Sequence, residues 1–132
     1  MSVRILVDGS NVLYWRGGQA DVAAPEMVVA ALTARRFSPV IYFDNSIRLY
    51  ADQATLNRLE TLAPVIIAPG GTQADALLLG DCGQGRIQIV SNDRFRTWRA
   101  EHPRLRGDWL VTGSIAKRGR VCFSKKLRPA PL

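Results

Sequence analysis

Long apolar runs, histidine, cysteine and acidic residues are scarce in this 132-residue chain, and each scarcity removes a class of function. No apolar stretch approaches the roughly 20 residues that span a bilayer, so neither a membrane helix nor a membrane partner is expected. The opening Met1-Ser2-Val3-Arg4-Ile5-Leu6-Val7 meets Asp8 too soon for a secretory leader, and a cytoplasmic location is the expectation. Cys82 and Cys122 stand far apart in no paired motif, which excludes zinc-finger spacing and a disulfide-stapled scaffold. The single histidine, His102, precedes Pro103 and is expected in a solvated loop, so it is a poor starting point for acid–base catalysis. Acids number 11 against 18 Lys and Arg, a net charge of +7. That excess suits a polyanionic partner, nucleic acid being the commonest, although it also simply keeps a small protein in solution.

What is present is a regular alternation. Short apolar runs each end in a polar turn: Val3–Val7 before Asp8-Gly9-Ser10-Asn11, Val40–Phe43 before Asp44-Asn45-Ser46, Val65–Ala68 before Pro69-Gly70-Gly71, Ile87–Val90 before Ser91-Asn92-Asp93, then Trp109–Thr112. Between them helices are expected from Pro25 to about Arg36, from about Leu49 to Leu62, and from Ala74 to Cys82 with a stop at Gly83. Thr72-Gln73-Ala74-Asp75 has capping-box form with Asp in the usual Glu position, and a short basic helix is expected after Asp93 to about Arg99. Gly119, between Ile115-Ala116 and Val121-Cys122-Phe123, predicts a C-terminal hairpin. Strands alternating with helices predict an α/β/α sandwich around a mainly parallel sheet. Residues 1–126 form the expected domain, with 127–132 as a mobile tail.

Ligands of such sheets bind beyond the carboxyl ends of the strands. Asp8, Asp44 and Asp93 follow the first, second and fourth strands, and Asp75 opens the helix after the third. With a strand order of 3-2-1-4-5 the four acids meet at one edge. Crowded carboxylates repel, and a hard divalent cation removes that cost. Mg²⁺ or Mn²⁺ fits an all-oxygen set, whereas Zn²⁺ favours nitrogen and sulfur. Plainer roles exist for each acid: Asp75 and Asp93 as helix caps, Asp44 as a turn former. Asp8 is the hardest to explain away, because an ionisable group directly after a buried strand is costly unless used or paired. Asn11, Ser10 and Ser91 are placed to hold a carboxylate or a water, or to serve the turns themselves.

Asp8-Gly9-Ser10-Asn11-Val12, Pro69-Gly70-Gly71 before Asp75, and Ile89-Val90-Ser91-Asn92-Asp93 together resemble the NYN-domain ribonucleases of the PIN superfamily, nearest to the regnase-like branch. The resemblance runs from Val3 to about Trp98. It implies a PIN-like sandwich and a Mg²⁺- or Mn²⁺-dependent endoribonuclease acting on single-stranded or loop RNA. It places Asp8, Asn11, Asp75 and Asp93 in the catalytic site, with Asp8, Asp75 and Asp93 as metal ligands. Ala74 and Thr97 stand where such relatives carry acids, and Asp44 is a candidate substitute ligand. Expected substrate contacts are Ser10, Ser91, Asn92, Arg94, Arg96 and Arg48, with Arg16 and Arg99 nearby. Trp15 and Tyr14 are candidate platforms for an unpaired base, Trp15 being also a candidate core residue, and Trp98 and Trp109 read as core. Lys117, Arg118, Arg120, Lys125, Lys126 and Arg128 form a second basic cluster. Two other readings stay open, a non-catalytic RNA-binding module with a degraded metal site and a toxin paired with an antitoxin, as does a homodimer. A phosphoacceptor receiver domain does not fit, because its acceptor aspartate belongs where this chain has Ala68-Pro69.

Overall fold

The computed structural model describes residues 3–82, 87–98, 109–124 and 127. Strand β1 (Val3–Asp8) leads into a one-turn helix α1 (Gly9–Val12) and then α2 (Ala23–Ala34). Strand β2 (Phe37–Phe43), a 3₁₀ segment (Asn45–Leu49), α3 (Gln53–Leu62), β3 (Val65–Ile67) and α4 (Ala74–Cys82) follow. The chain continues through β4 (Ile89–Val90), a 3₁₀ turn (Arg96–Trp98) and β5 (Leu110–Val111), and closes with β6 (Gly113–Ile115) and β7 (Val121–Phe123).

The five-stranded sheet has the expected order β3-β2-β1-β4-β5, parallel throughout, and β6 with β7 forms a separate antiparallel pair. The fold is therefore the PIN-like α/β sandwich with its C-terminal hairpin. The chain builds outward from β1 to β3, then returns to place β4 on the other side of β1. That reversal is the topological switch point, where such sheets leave a crevice.

Alternation along the strands sorts the core into two layers. Ile5, Val7, Ile41, Phe43, Val90 and Val111 pack with residues of α2 and α3, while Leu6, Tyr42, Ile89 and Leu110 pack with Leu78 and Leu79 of α4. Asp8 has the parity of Leu6, so it belongs to the face that α4 covers. Pro39 lies inside β2 rather than ahead of it. Ile41 N–H donates towards β3, to the Pro64 carbonyl, and residue 39 faces the same way, beyond the start of β3. Its missing N–H therefore removes no ladder bond.

Several local expectations change. Helix α2 starts at Ala23, earlier than Pro25, because the Asp21 carboxylate accepts the Ala23 N–H at 2.9 Å. Helix α3 starts at Gln53, later than Leu49, because Asp52 caps it, accepting from Thr55 N–H at 2.8 Å and from the Thr55 hydroxyl at 2.7 Å. The basic helix after Asp93 is only the 3₁₀ turn Arg96–Trp98. Phe95 adopts a positive φ of 49° and is buried against the α4 side of the core, which breaks the helical path. Trp98 packs partly buried against the same layer and Trp109 is half-buried. Gly83, Arg99, His102, Lys125, Lys126 and the tail beyond 127 lie outside the described residues, whereas Leu127 packs against the α2–α3 layer. Among the described residues no helix is long and apolar enough to cross a membrane.

Candidate active site

The site begins where β1 ends. Asp8 is 4% exposed and caps α1, accepting the Asn11 N–H at 3.2 Å through Oδ1. Its Oδ2 accepts the hydroxyl of Ser91, fully buried at the end of β4, at 2.8 Å. The Ser91 oxygen in turn accepts the Asp93 N–H at 3.0 Å. One serine thus locks the two acids of neighbouring strands to each other. Asp93 accepts the Phe95 N–H at 2.8 Å, so the positive-φ turn also fixes this carboxylate.

Gly9 is needed for a reason other than a left-handed turn. A Cβ there would stand 2.5 Å from the Phe43 ring and 2.7 Å from Ile41. Only glycine lets α1 lie this close to β2 and deliver Asn11 to the cleft.

Asn11 acts as a bracket. Its Oδ1 accepts Trp15 Nε1–H and the Asn92 backbone N–H, each at 2.8 Å, and those two donors fix which side-chain atom is oxygen. The Asn92 amide makes a double hydrogen bond to the backbone of Gly113, donating to its carbonyl and accepting its N–H, both at 2.8 Å. The network therefore runs from α1 through the β4 loop to the terminal hairpin. Trp15, expected as a candidate base platform, is a correction: it is 8% exposed, packed in the α2–α3 core against Gly113, and unavailable for stacking.

Asp75 enters from the first turn of α4. It does not cap that helix as its motif suggested. The first N–H of α4, on Ala74, donates instead to Asp44 Oδ1 at 2.7 Å, a cap supplied from the end of β2. The Asp75 carboxylate accepts no hydrogen bond among the described residues.

Asp8, Asp75 and Asp93 each present a ligand atom within 4.8 Å of the others. Asp44 is outside that group. It stands beside it, tied to Ala74 and, through its own N–H, to the Ser10 hydroxyl at 2.8 Å. Burial pushes the Asp8 carboxyl up to about 7. The Ser91 and Asn11 hydrogen bonds pull the other way, and the Asp75 and Asp93 charges add to the rise. Burial, then the charges of Asp93 and Asp44, lift Asp75 to about 6. Three converging carboxylates, of which Asp8 and Asp75 resist ionisation and Asp75 also lacks a hydrogen-bond donor among the described residues, with no His or Cys in the group, fit a hard divalent cation.

Around the acids, Arg48, Arg94 and Arg96 are exposed, Arg48 lying 3.4 Å from Gln53 Oε1, and Arg16 pairs with Asp21 at 3.6 Å. The residue that sequence reasoning missed is Tyr50, at the rim beside Tyr14. The Asp52-x-x-Thr55 cap is the signal that frees it from the expected helix.

A family model described as the Zc3h12a-like ribonuclease NYN domain matches residues 1–110, which hold every residue of this site, while the hairpin at 113–123 lies beyond the match. No curated protein matches the chain. With the acids of β1, α4 and the β4 loop in place, the chain belongs to the Zc3h12a-like ribonuclease NYN domain family.

Proposed function

We propose that this domain is a Mg²⁺- or Mn²⁺-dependent endoribonuclease that hydrolyses phosphodiester bonds in single-stranded or loop RNA. The observation that carries the proposal is the convergence of Asp8, Asp75 and Asp93 at the switch point of a ribonuclease-family sheet. These three carboxylates would hold the ion. A divalent cation there supplies charge neutralisation at the phosphate and acidifies the attacking water.

The chain's own groups do the rest. Ser91 and the Asn11 N–H hold Asp8 in one orientation, and Phe95 N–H holds Asp93. Asp75, with no hydrogen bond to give up, turns its carboxylate into the cleft at no internal loss. Exposed Arg48, Arg94 and Arg96, close in sequence to Asp44 and Asp93, would take the phosphates of a strand that the acids by themselves repel. Ala74, where relatives carry an acid, is buried, and the Asp44 carboxylate sits at its N–H. A fourth acid is therefore kept at this corner by another residue, which favours a working site over a degraded one.

The test is cleavage of labelled single-stranded RNA in Mn²⁺ against EDTA, with Asp8→Asn beside wild type. Cleavage is expected only with the cation, and at least about a hundredfold slower in the variant. Salt-sensitive RNA binding without cleavage under any condition identifies a non-catalytic RNA-binding module instead. Equal cleavage by Asp8→Asn would falsify the assignment.

A further inference from the structure

Beside the acids, between α1 and the Asn45–Leu49 segment, lies a cleft of about 180 Å³. Leu13 and Ile47, both buried, form its apolar wall. Its rim is Tyr14 and Tyr50, 44% and 49% exposed, whose hydroxyl oxygens approach to 3.5 Å. The chain has three tyrosines, and the third, Tyr42, is fully buried. Both surface tyrosines thus fall on this one cleft, 36 residues apart in the chain. The polar lining is Ser10, Ser46 and Asp44. Ser10 accepts the Asp44 N–H, which leaves its own hydroxyl hydrogen to donate, and Asp44 Oδ2 has no partner among the described residues.

A narrow slot with one apolar wall, two aromatic rings at its rim and several convergent polar groups suits a flat ring with a polar edge. We propose that this cleft is a nucleobase pocket, in which one unpaired base of the RNA lies against Tyr14 and Tyr50 while its neighbouring phosphate reaches the acids. The proposal rests on the RNA-cleaving reading of the site and adds the subsite that selects the strand. Its position supports it: Ser10 is two residues beyond Asp8, and Asp44, in the lining, also holds the first turn of α4 that carries Asp75.

The chemistry explains a preference for single strands. Stacking tolerates any base, since each has a π-face. A base held in a duplex offers neither a free face nor a free Watson–Crick edge, so it cannot enter. The tyrosine hydroxyl contact lies at the limit of hydrogen bonding, so parting the rim is cheap.

The experiment measures binding of a fluorescent single-stranded RNA, and of the same sequence as a duplex, in EDTA so that no strand is cut. Tyr14→Ala and Tyr50→Ala are each expected to weaken single-strand binding about tenfold. Duplex binding should not change, Tyr50→Phe should recover most of the loss, and Leu62→Ala, exposed at the end of α3, should match wild type. Alanine variants that bind single strands as tightly as wild type overturn the pocket, as does equal weakening for duplex and single strand. The two readings fail separately. Cleavage lost in Asp8→Asn with the tyrosine variants indifferent leaves a nuclease without this pocket. Tyrosine-dependent binding by a protein that never cleaves leaves the pocket without the nuclease.

Discussion

The two halves of the cleft are built on opposite terms. On the β1–β4 side every functional group is fastened: Asp8 to Ser91 and the Asn11 N–H, Asp93 to Phe95 N–H, Asn11 to Trp15 and Asn92, Asn92 to Gly113. On the α4 side the Asp75 carboxylate accepts no hydrogen bond among the described residues, and the helix that bears it is pinned from outside by Asp44. The fastened half sets distances, and the loose half adds charge. Removing a fastening should therefore lower stability, removing one of the crowded charges should not, and both should remove activity.

The largest effect expected concerns pH. The Asp8 carboxyl has its folded pKa raised from 3.8 to about 7. Between those values the folded state binds a proton that the unfolded state has lost. The contribution is thus fully favourable below pH 3.8 and disappears as pH rises through about 7. At most about 4 kcal/mol separates these limits for the cation-free protein. Asp75, raised to about 6, acts in the same direction. Melting curves in EDTA from pH 4 to 8 should show Asp8→Asn gaining on wild type with rising pH, and Mn²⁺ should restore wild type. A constant gap across that range would sink this account of the site.

Asn11→Ala attacks the fastened half directly. It strands the Trp15 indole N–H and the Asn92 N–H, at a cost of about 2–3 kcal/mol. Asp75→Asn, on the loose half, should lose cleavage yet melt no lower than wild type at pH 7.5 in EDTA. Equal destabilisation by the two, read in urea titrations, would erase the contrast between the halves.

A smaller effect is expected from Gly9→Ala, whose new methyl meets Phe43 and Ile41 inside van der Waals distance. Overpacking of this kind costs about 1–3 kcal/mol, and here it also lifts α1 away from β2. Loss of cleavage exceeding the loss of folded fraction is the expected signature, measured by activity at a temperature where the variant remains folded.

Much of this architecture is legible in the chain because its signals are local. Val3–Val7 and Val40–Phe43 are short β-rich runs followed by Asp, and strand–helix alternation marks the sheet as parallel, while its order 3-2-1-4-5 is an assumption that the fold bears out. Asp8, Asp75 and Asp93 are visible as acids at strand ends or a helix start, which a parallel sheet collects at one edge. What escapes is whatever depends on distant partners. Asp44 reads as a turn former, and only the folded chain brings Ala74 to it across 30 residues. Trp15 reads more readily as core than as a base platform, and the fold settles it by packing the indole against Gly113. Helix α1 is a single turn containing a glycine, too short for periodicity to show. Tyr50 hides in an apolar pattern that runs on into α3 until the Asp52 cap is recognised.

The pairing of β1 with β4 has a consequence for how the molecule matures. Its converging carboxylates arrive from positions 8, 75 and 93, and Ser91, the latch between the outer two, is contributed only after most of the chain exists. A polypeptide emerging from the ribosome holds Asp8 long before it holds the means to arm it. On the proposed function, truncations ending ahead of β4 should leave RNA uncut, and the onset of cutting during refolding should time the closing of the last central strand.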